Sequence, residues 1–208
     1  MGGKKINTAV SSFPQILREL VPEGILNPLG PGIPNKALRP KLAALRPESL
    51  FAGQRIVDLN AARCCLSALW LLHDFLDESH SISQENETAD GSYWHGIMHR
   101  REPDYGNAKY WFRRVGQHPI FVPLAAAARQ IVANSKVDLA QNMQFLQQQT
   151  SWDPYRFIDL CESLAGQKSN DEATELLARR IARTEWDLLF EYCYLAATGG
   201  TEVRLSPL

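Results

Sequence analysis

Between Leu50 and Glu78 the chain carries no proline, and Leu66, Ala68, Leu69, Trp70, Leu71, Leu72, Phe75 and Leu76 occupy almost every angle around a helical wheel. A helix that is apolar all round is buried, so this segment predicts a central helix. Its end turns polar in WLLHDFLDESH, where His73, Asp77 and His80 fall at i, i+4 and i+7 and share one face, with Asp74 and Glu78 on an adjacent face. A second long pattern places Leu176, Leu177, Ile181, Leu188, Leu189, Tyr192 and Leu195 at helical spacing. It predicts the longest helix, from about Asn170 to Ala197, with Gly199 and Gly200 beyond it.

Shorter elements follow from punctuation. FPQILRELV (13–21) reads as a short helix, whereas the prolines and glycines of 22–40 exclude regular structure for most of that stretch. After the polar string SISQENETADGS, Ser92 is placed to cap a helix that Pro103 stops beyond Arg101. Asn107 is placed to cap AKYWFRRV, with Gly116 at its end. Pro119 and Pro123 bracket the start of LAAAARQIVANS, a further helix is expected near 137–149, and Asp153-Pro154 opens one that Gly166 closes. No strand alternation and no repeat is visible, so the expectation is all-α: a single-domain helical bundle of six to eight helices over 51–208, preceded by a Pro/Gly-rich N-terminal extension over 1–50.

Charge narrows the function classes. The 22 basic and 23 acidic side chains leave a formal net charge of -1, which argues against a nucleic-acid binder or a polybasic membrane anchor. No apolar run reaches the 18 or more residues of a membrane span, and MGGKKINTAVSS lacks the hydrophobic segment of a signal peptide, so a cytoplasmic location is expected. Cys64, Cys65, Cys161 and Cys193 form no C-x-x-C motif and read as reduced, buried thiols.

All five histidines, at positions 73, 80, 95, 99 and 118, fall between residues 70 and 120, together with Trp70, Trp94, Trp111 and two arginine pairs. Such a concentration beside a buried helix is where a pocket is expected. Asp74, Asp77 and Glu78 at a helix end oppose its dipole and call for a nearby cation: a metal ion, a protonated histidine or the arginines. In YWHGIMHRREPD, His95 and His99 are four apart, so both imidazoles point to one side of a helix and can share a divalent metal, with Glu102 further along that face. An acid or histidine from 74–80 would complete the site, and Glu78 is the acid chosen here. Gly96 stands where the H-E-x-x-H zinc-protease motif has its glutamate, which removes the protease reading, and suggests close approach of a ligand or a packed helix. Arg100, Arg101 and Arg113, with Lys109, are candidates for an anion-binding wall, with Trp94, Tyr110 and Trp111 as flat faces for a ring.

No histidine precedes His73, so the metal-site order of the HD phosphohydrolases fails, and there is no phosphate-binding glycine loop and no G-x-S-x-G. At HDFLDESHSISQ and DGSYWHGIMHRREPDYGNAKYWFRRVGQHPIF, roughly the middle quarter, the chain resembles an uncharacterised family of bacterial and fungal proteins. The resemblance implies family membership and carries no activity, cofactor or catalytic assignment.

Three readings stand side by side. In the first, a His/Arg/acid-lined pocket binds a small polar or anionic molecule, with His73, His95, His99 and Asp77 as the candidate catalytic groups. In the second, the chain is a metal-dependent enzyme with His95, His99 and Glu78 as ligands. In the third, the segment is a satisfied polar core of a structural or partner-binding protein. A homodimer is the default assembly.

Overall fold

The buried apolar run folds as α4 (Leu59–Leu72), opened by Asp58, whose carboxylate accepts the Ala61 N–H at 3.0 Å. Ten of its 14 residues are buried, which makes it the central helix the pattern required. The computed structural model describes residues 14–135, 137–139, 141–166 and 172–200. Within them α4 is surrounded by α5 (Leu76–Ser83), α6 (Ala89–Arg101) and the longest helix, α11 (Glu172–Thr198). Around that centre, α7 (Tyr105–Val115) packs on α6, α10 (Pro154–Gly166) on α7, and α8 (Phe121–Asn134) on α11. No strand occurs among the described residues, and the fold is the expected all-α bundle. No helix among them is long and apolar enough to cross a membrane.

Before the bundle run three short helices, α1 (Gln15–Leu20), α2 (Arg39–Ala44) and α3 (Pro47–Leu50), with the proline-rich stretch between α1 and α2. Leu17, Leu20, Leu42, Leu50 and Phe51 share the core with residues of α4 and α11, so the described part of the N-terminal extension is built into the bundle. The arm is also fastened by arginines. Arg101 Nε donates to Gly30 O, Arg179 Nε to Asn27 O and Arg183 Nη1 to Ile25 O, each at 2.9 Å. Residues 1–13 lie outside the described residues.

Several local expectations need correction. The polar face His73–Asp77–His80 does not exist, because α4 ends at Leu72 and α5 starts afresh at Leu76. Asp74 between them has φ +65°, the left-handed region that aspartate tolerates better than most residues. The break is held in place. The Asp74 carboxylate pairs with Arg101 and accepts Asn27 Nδ2–H at 2.9 Å, and the same amide caps the freed Leu72 carbonyl at 2.9 Å. Thr88 rather than Ser92 caps α6, its hydroxyl accepting Gly91 N–H at 3.1 Å, and Asp104 rather than Asn107 caps α7. Among the described residues, the stretch near 137–149, expected to be a helix, holds a 3₁₀ turn at Gln141–Met143 and the single turn α9 (Phe145–Gln148). By contrast Asp153 caps α10 as read, and Gly116 ends α7 with φ +65°. All four cysteines are buried free thiols.

One buried ion pair ties α6 to α11. Arg100 Nη2 donates to Glu185 at 2.5 Å, both side chains being fully enclosed, and Tyr93 O–H donates to the other carboxylate oxygen at 3.1 Å. Removing one partner strands a buried charge, which costs about 3–5 kcal/mol. Glu185→Ala should therefore lower unfolding stability in urea by about that amount. A loss below about 1 kcal/mol, the range of an exposed pair, would contradict this role.

Candidate metal centre

Three histidines meet where α5 lies against α6. His95 and His99, one helical turn apart on α6, face each other with Nε2 atoms 2.9 Å apart. His80 comes from α5, its ring centroid 4.6 Å from that of His95 and 5.4 Å from that of His99, edge-on to the latter. One ring nitrogen from each of the three lies within 4.8 Å of the others. His95 and His99 are buried and His80 is half-buried, so the cluster reaches the surface on the α5 side.

The outer nitrogens of the α6 pair are both anchored. Ser83 Oγ, on α5, is 3.1 Å from His95 Nδ1, and Glu102, just past the end of α6, accepts from His99 Nδ1 at 3.1 Å. Metal-binding imidazoles characteristically carry such partners on the nitrogen that does not face the ion, because they fix the ring and its tautomer. From α7, Trp111 packs against His95 with centroids 4.0 Å apart and the rings tilted by 32°, and Arg114 covers the Trp111 ring at 5.3 Å. Gly96 permits the approach of α7: a Cβ at this position would stand 2.8 Å from the Phe112 ring. Helix packing, not a ligand, is therefore the reason for that glycine.

Burial and the two neighbouring histidines push His95 down to about 3, and burial lowers His99 as well, against the pull of Glu102. At neutral pH His95 is thus an uncharged imidazole. If Ser83 donates to Ser79 O, 2.9 Å away, and Glu102 accepts from His99, then both Nδ1 atoms carry the ring protons. Two Nε2 lone pairs then point at one another across 2.9 Å, an arrangement that a cation between them resolves. Turning the Ser83 hydroxyl toward His95 Nδ1 resolves it without one.

The other residues singled out from the sequence are dispersed. His73 sits on the α4–α5 break, where its Nε2–H donates to Leu20 O at 2.8 Å, and Asp77 is exposed on α5. Glu78 pairs with Arg39 rather than joining the histidines, so His80 takes the place assigned to it. The arginine wall is absent: Arg100 binds Glu185, Arg101 binds Asp74, and Arg113 is exposed over Tyr110 at 5.7 Å. Lys109 pairs with Asp159 at 2.5 Å. Trp94 is buried against Trp186, and His118 is held by Asp90 at 2.8 Å. Of the named residues, His80, His95, His99, Glu102 and Trp111 converge. Ser83 was hidden in a polar string without periodic signal, and the start of α5 at Leu76, which the sequence does not show, brings it to His95.

Comparison with protein-family models, with curated proteins and with solved structures finds no match. The chemistry of the site therefore rests on its geometry.

His73 offers a test of the break. Its pKa is lowered, chiefly by burial, so between the unfolded value near 6.5 and the lower folded value the unfolded chain binds the extra proton. Its contribution to stability is complete above about pH 6.5 and is lost as pH falls through the folded value. Urea midpoints measured between pH 7 and pH 4.5 should fall more steeply for the parent chain than for His73→Gln, in about that window. Parallel pH profiles would contradict the buried, neutral His73.

Proposed function

We propose that the chain is a metal-dependent enzyme whose single divalent transition ion is held by His80, His95 and His99. The observation that carries this reading is the convergence of three imidazoles, two of which have their outer nitrogens anchored by Ser83 and Glu102. Zinc–nitrogen bonds of 2.0–2.1 Å in a tetrahedral site require ligand nitrogens about 3.3 Å apart. The 2.9 Å separation of the two Nε2 atoms would have to open by only a few tenths of an ångström, a ring rotation. Imidazole donors suit zinc, copper, iron or nickel, and an all-nitrogen set disfavours magnesium and calcium, which take oxygen ligands.

Three protein ligands leave a fourth position open, the pattern of catalytic rather than structural zinc. A divalent ion held there would lower the pKa of a bound water to about 7, the chemistry of hydrolysis or hydration. His95 also needs no deprotonation before it binds the ion, since it is already neutral down to about pH 3. Glu102 holds the His99 ring and raises its basicity, and Trp111 shields the His95 side from water.

Elemental analysis of untagged protein should find one transition ion per chain, and a chelator should lower the melting temperature. His80→Ala, His95→Ala and His99→Ala should each lose the ion, and Glu102→Gln should weaken its binding by about 10–100-fold. Protein that takes up no zinc on titration, or a His80→Ala variant that binds it as tightly as the parent, would favour the arrangement in which Ser83 donates to His95 and the cluster is a closed polar core.

A further inference from the structure

The N-terminal arm carries a pattern that the histidine cluster does not use. Pro28, Pro31 and Pro34 recur every third residue, and Lys36 follows two positions after the last of them. A polyproline II helix has three residues per turn, so prolines at this spacing fall along one edge of it. Each proline fixes its own φ at about −65° and drives the residue before it, Gly30 before Pro31 and Ile33 before Pro34, toward extended backbone. Residues 31–35 are neither helix nor strand, and Gly30 and Gly32 stay out of the left-handed region.

The fold holds this strip by its inner edge. Arg101 Nε donates to Gly30 O at 2.9 Å, a Cβ at Gly32 would collide with the Asp74 carboxylate, and Asn35 N–H donates to His73 O at 3.1 Å. Gly32 and Asn35 are three residues apart, so one edge of the extended segment faces the α4–α5 break and the other two face out. Pro31, Ile33, Pro34 and Lys36 are accordingly exposed, Ile33 to 89%. Arg39 and Lys41, on α2, pair with Glu78 and Glu19, whereas no ion pair takes up Lys36 among the described residues. A lone exposed isoleucine is ordinary, but one set between two exposed prolines on a fastened backbone, with a free cation after them, is a preformed ligand.

Partners that read such segments present a groove lined by aromatic rings, in which x-Pro pairs seat, and they engage the two edges that are open here. Charge complementarity asks for a carboxylate at the end of the groove, opposite Lys36. We propose that residues 31–36 are a docking strip for a protein partner with an SH3-type aromatic groove ending in an acidic pocket. The backbone is already held extended, so docking costs little ordering entropy. The strip and the histidine cluster share no residue.

The test titrates the ¹⁵N-labelled full chain with a panel of purified SH3 domains that take ligands of the form P-x-x-P-x-K. At least one domain should bind one-to-one, with shift changes centred on the amides of Gly32, Ile33, Asn35 and Lys36. Replacing an aromatic residue of that domain's groove by alanine should abolish them. Pro34→Ala and Lys36→Glu should each weaken binding by about tenfold or more, the worth of one filled pocket or one charged hydrogen bond, with the melting temperature unchanged because both side chains are exposed. Absence of binding across the panel, shift changes centred elsewhere, or binding that survives both substitutions would each overturn the proposal. Self-association of the chain that Pro34→Ala abolishes would overturn it too, by giving the strip to a second copy.

Discussion

The reversal of the chain at Asp74 is the constraint on which the rest of this structure depends. A helix continuing from α4 through residue 80 would carry His80 along the α4 axis, away from α6. Instead the left-handed residue at 74 ends α4 and lets α5 start in a new direction, packed on both α4 and α6. The same carboxylate pairs with Arg101 at the end of α6 and accepts from Asn27 of the arm. One residue thus sets the position of three segments. Gly32 shows how closely the arm comes: a Cβ there would stand 2.4 Å from the Asp74 carboxylate. Any larger residue at 32 would have to push the arm or the break apart.

The second consequence is that α6 is enclosed. Eleven of its 13 residues are buried, among them His95, His99, Arg100 and Arg101. Burying four ionisable side chains on one helix is affordable only if each is neutral or paired. The arginines are paired, with Glu185 and Asp74, and the histidines are neutral, with burial lowering both. Neutral imidazoles held in fixed orientations are what a transition ion binds, and a helix so enclosed provides the rigidity that fixes them. Chemistry and packing are therefore two results of the same burial.

Much of the bundle was legible in the chain. The all-round apolar pattern of α4, the spacing of α11, the Asp153-Pro154 start of α10 and the Gly116 stop of α7 each have a local physical cause, and each is found where that cause placed it. His95 and His99 converge because i, i+4 spacing on any helix makes them do so. The break at residues 73–75 was not legible, since it carries neither glycine nor proline and aspartate enters the left-handed region only because Arg101 and Asn27 hold it there. That single unseen turn misassigned His73 and Asp77, and it left Glu78 chosen over His80 as the third ligand. Arg179 and Arg183 were missed for a different reason. On an amphipathic helix with acids one turn away, arginines have the pattern of a solvated face, and the arm laid across them leaves them half-buried.

The central claim is that three imidazoles and one open position form a transition-metal site, and cobalt(II) tests it most directly because its visible spectrum reports coordination number. Titration of metal-free protein with cobalt should produce d–d bands of four-coordinate intensity that saturate at one ion per chain and disappear when zinc is added. Only the weak spectrum of six-coordinate cobalt, with no saturation at one equivalent, would contradict it.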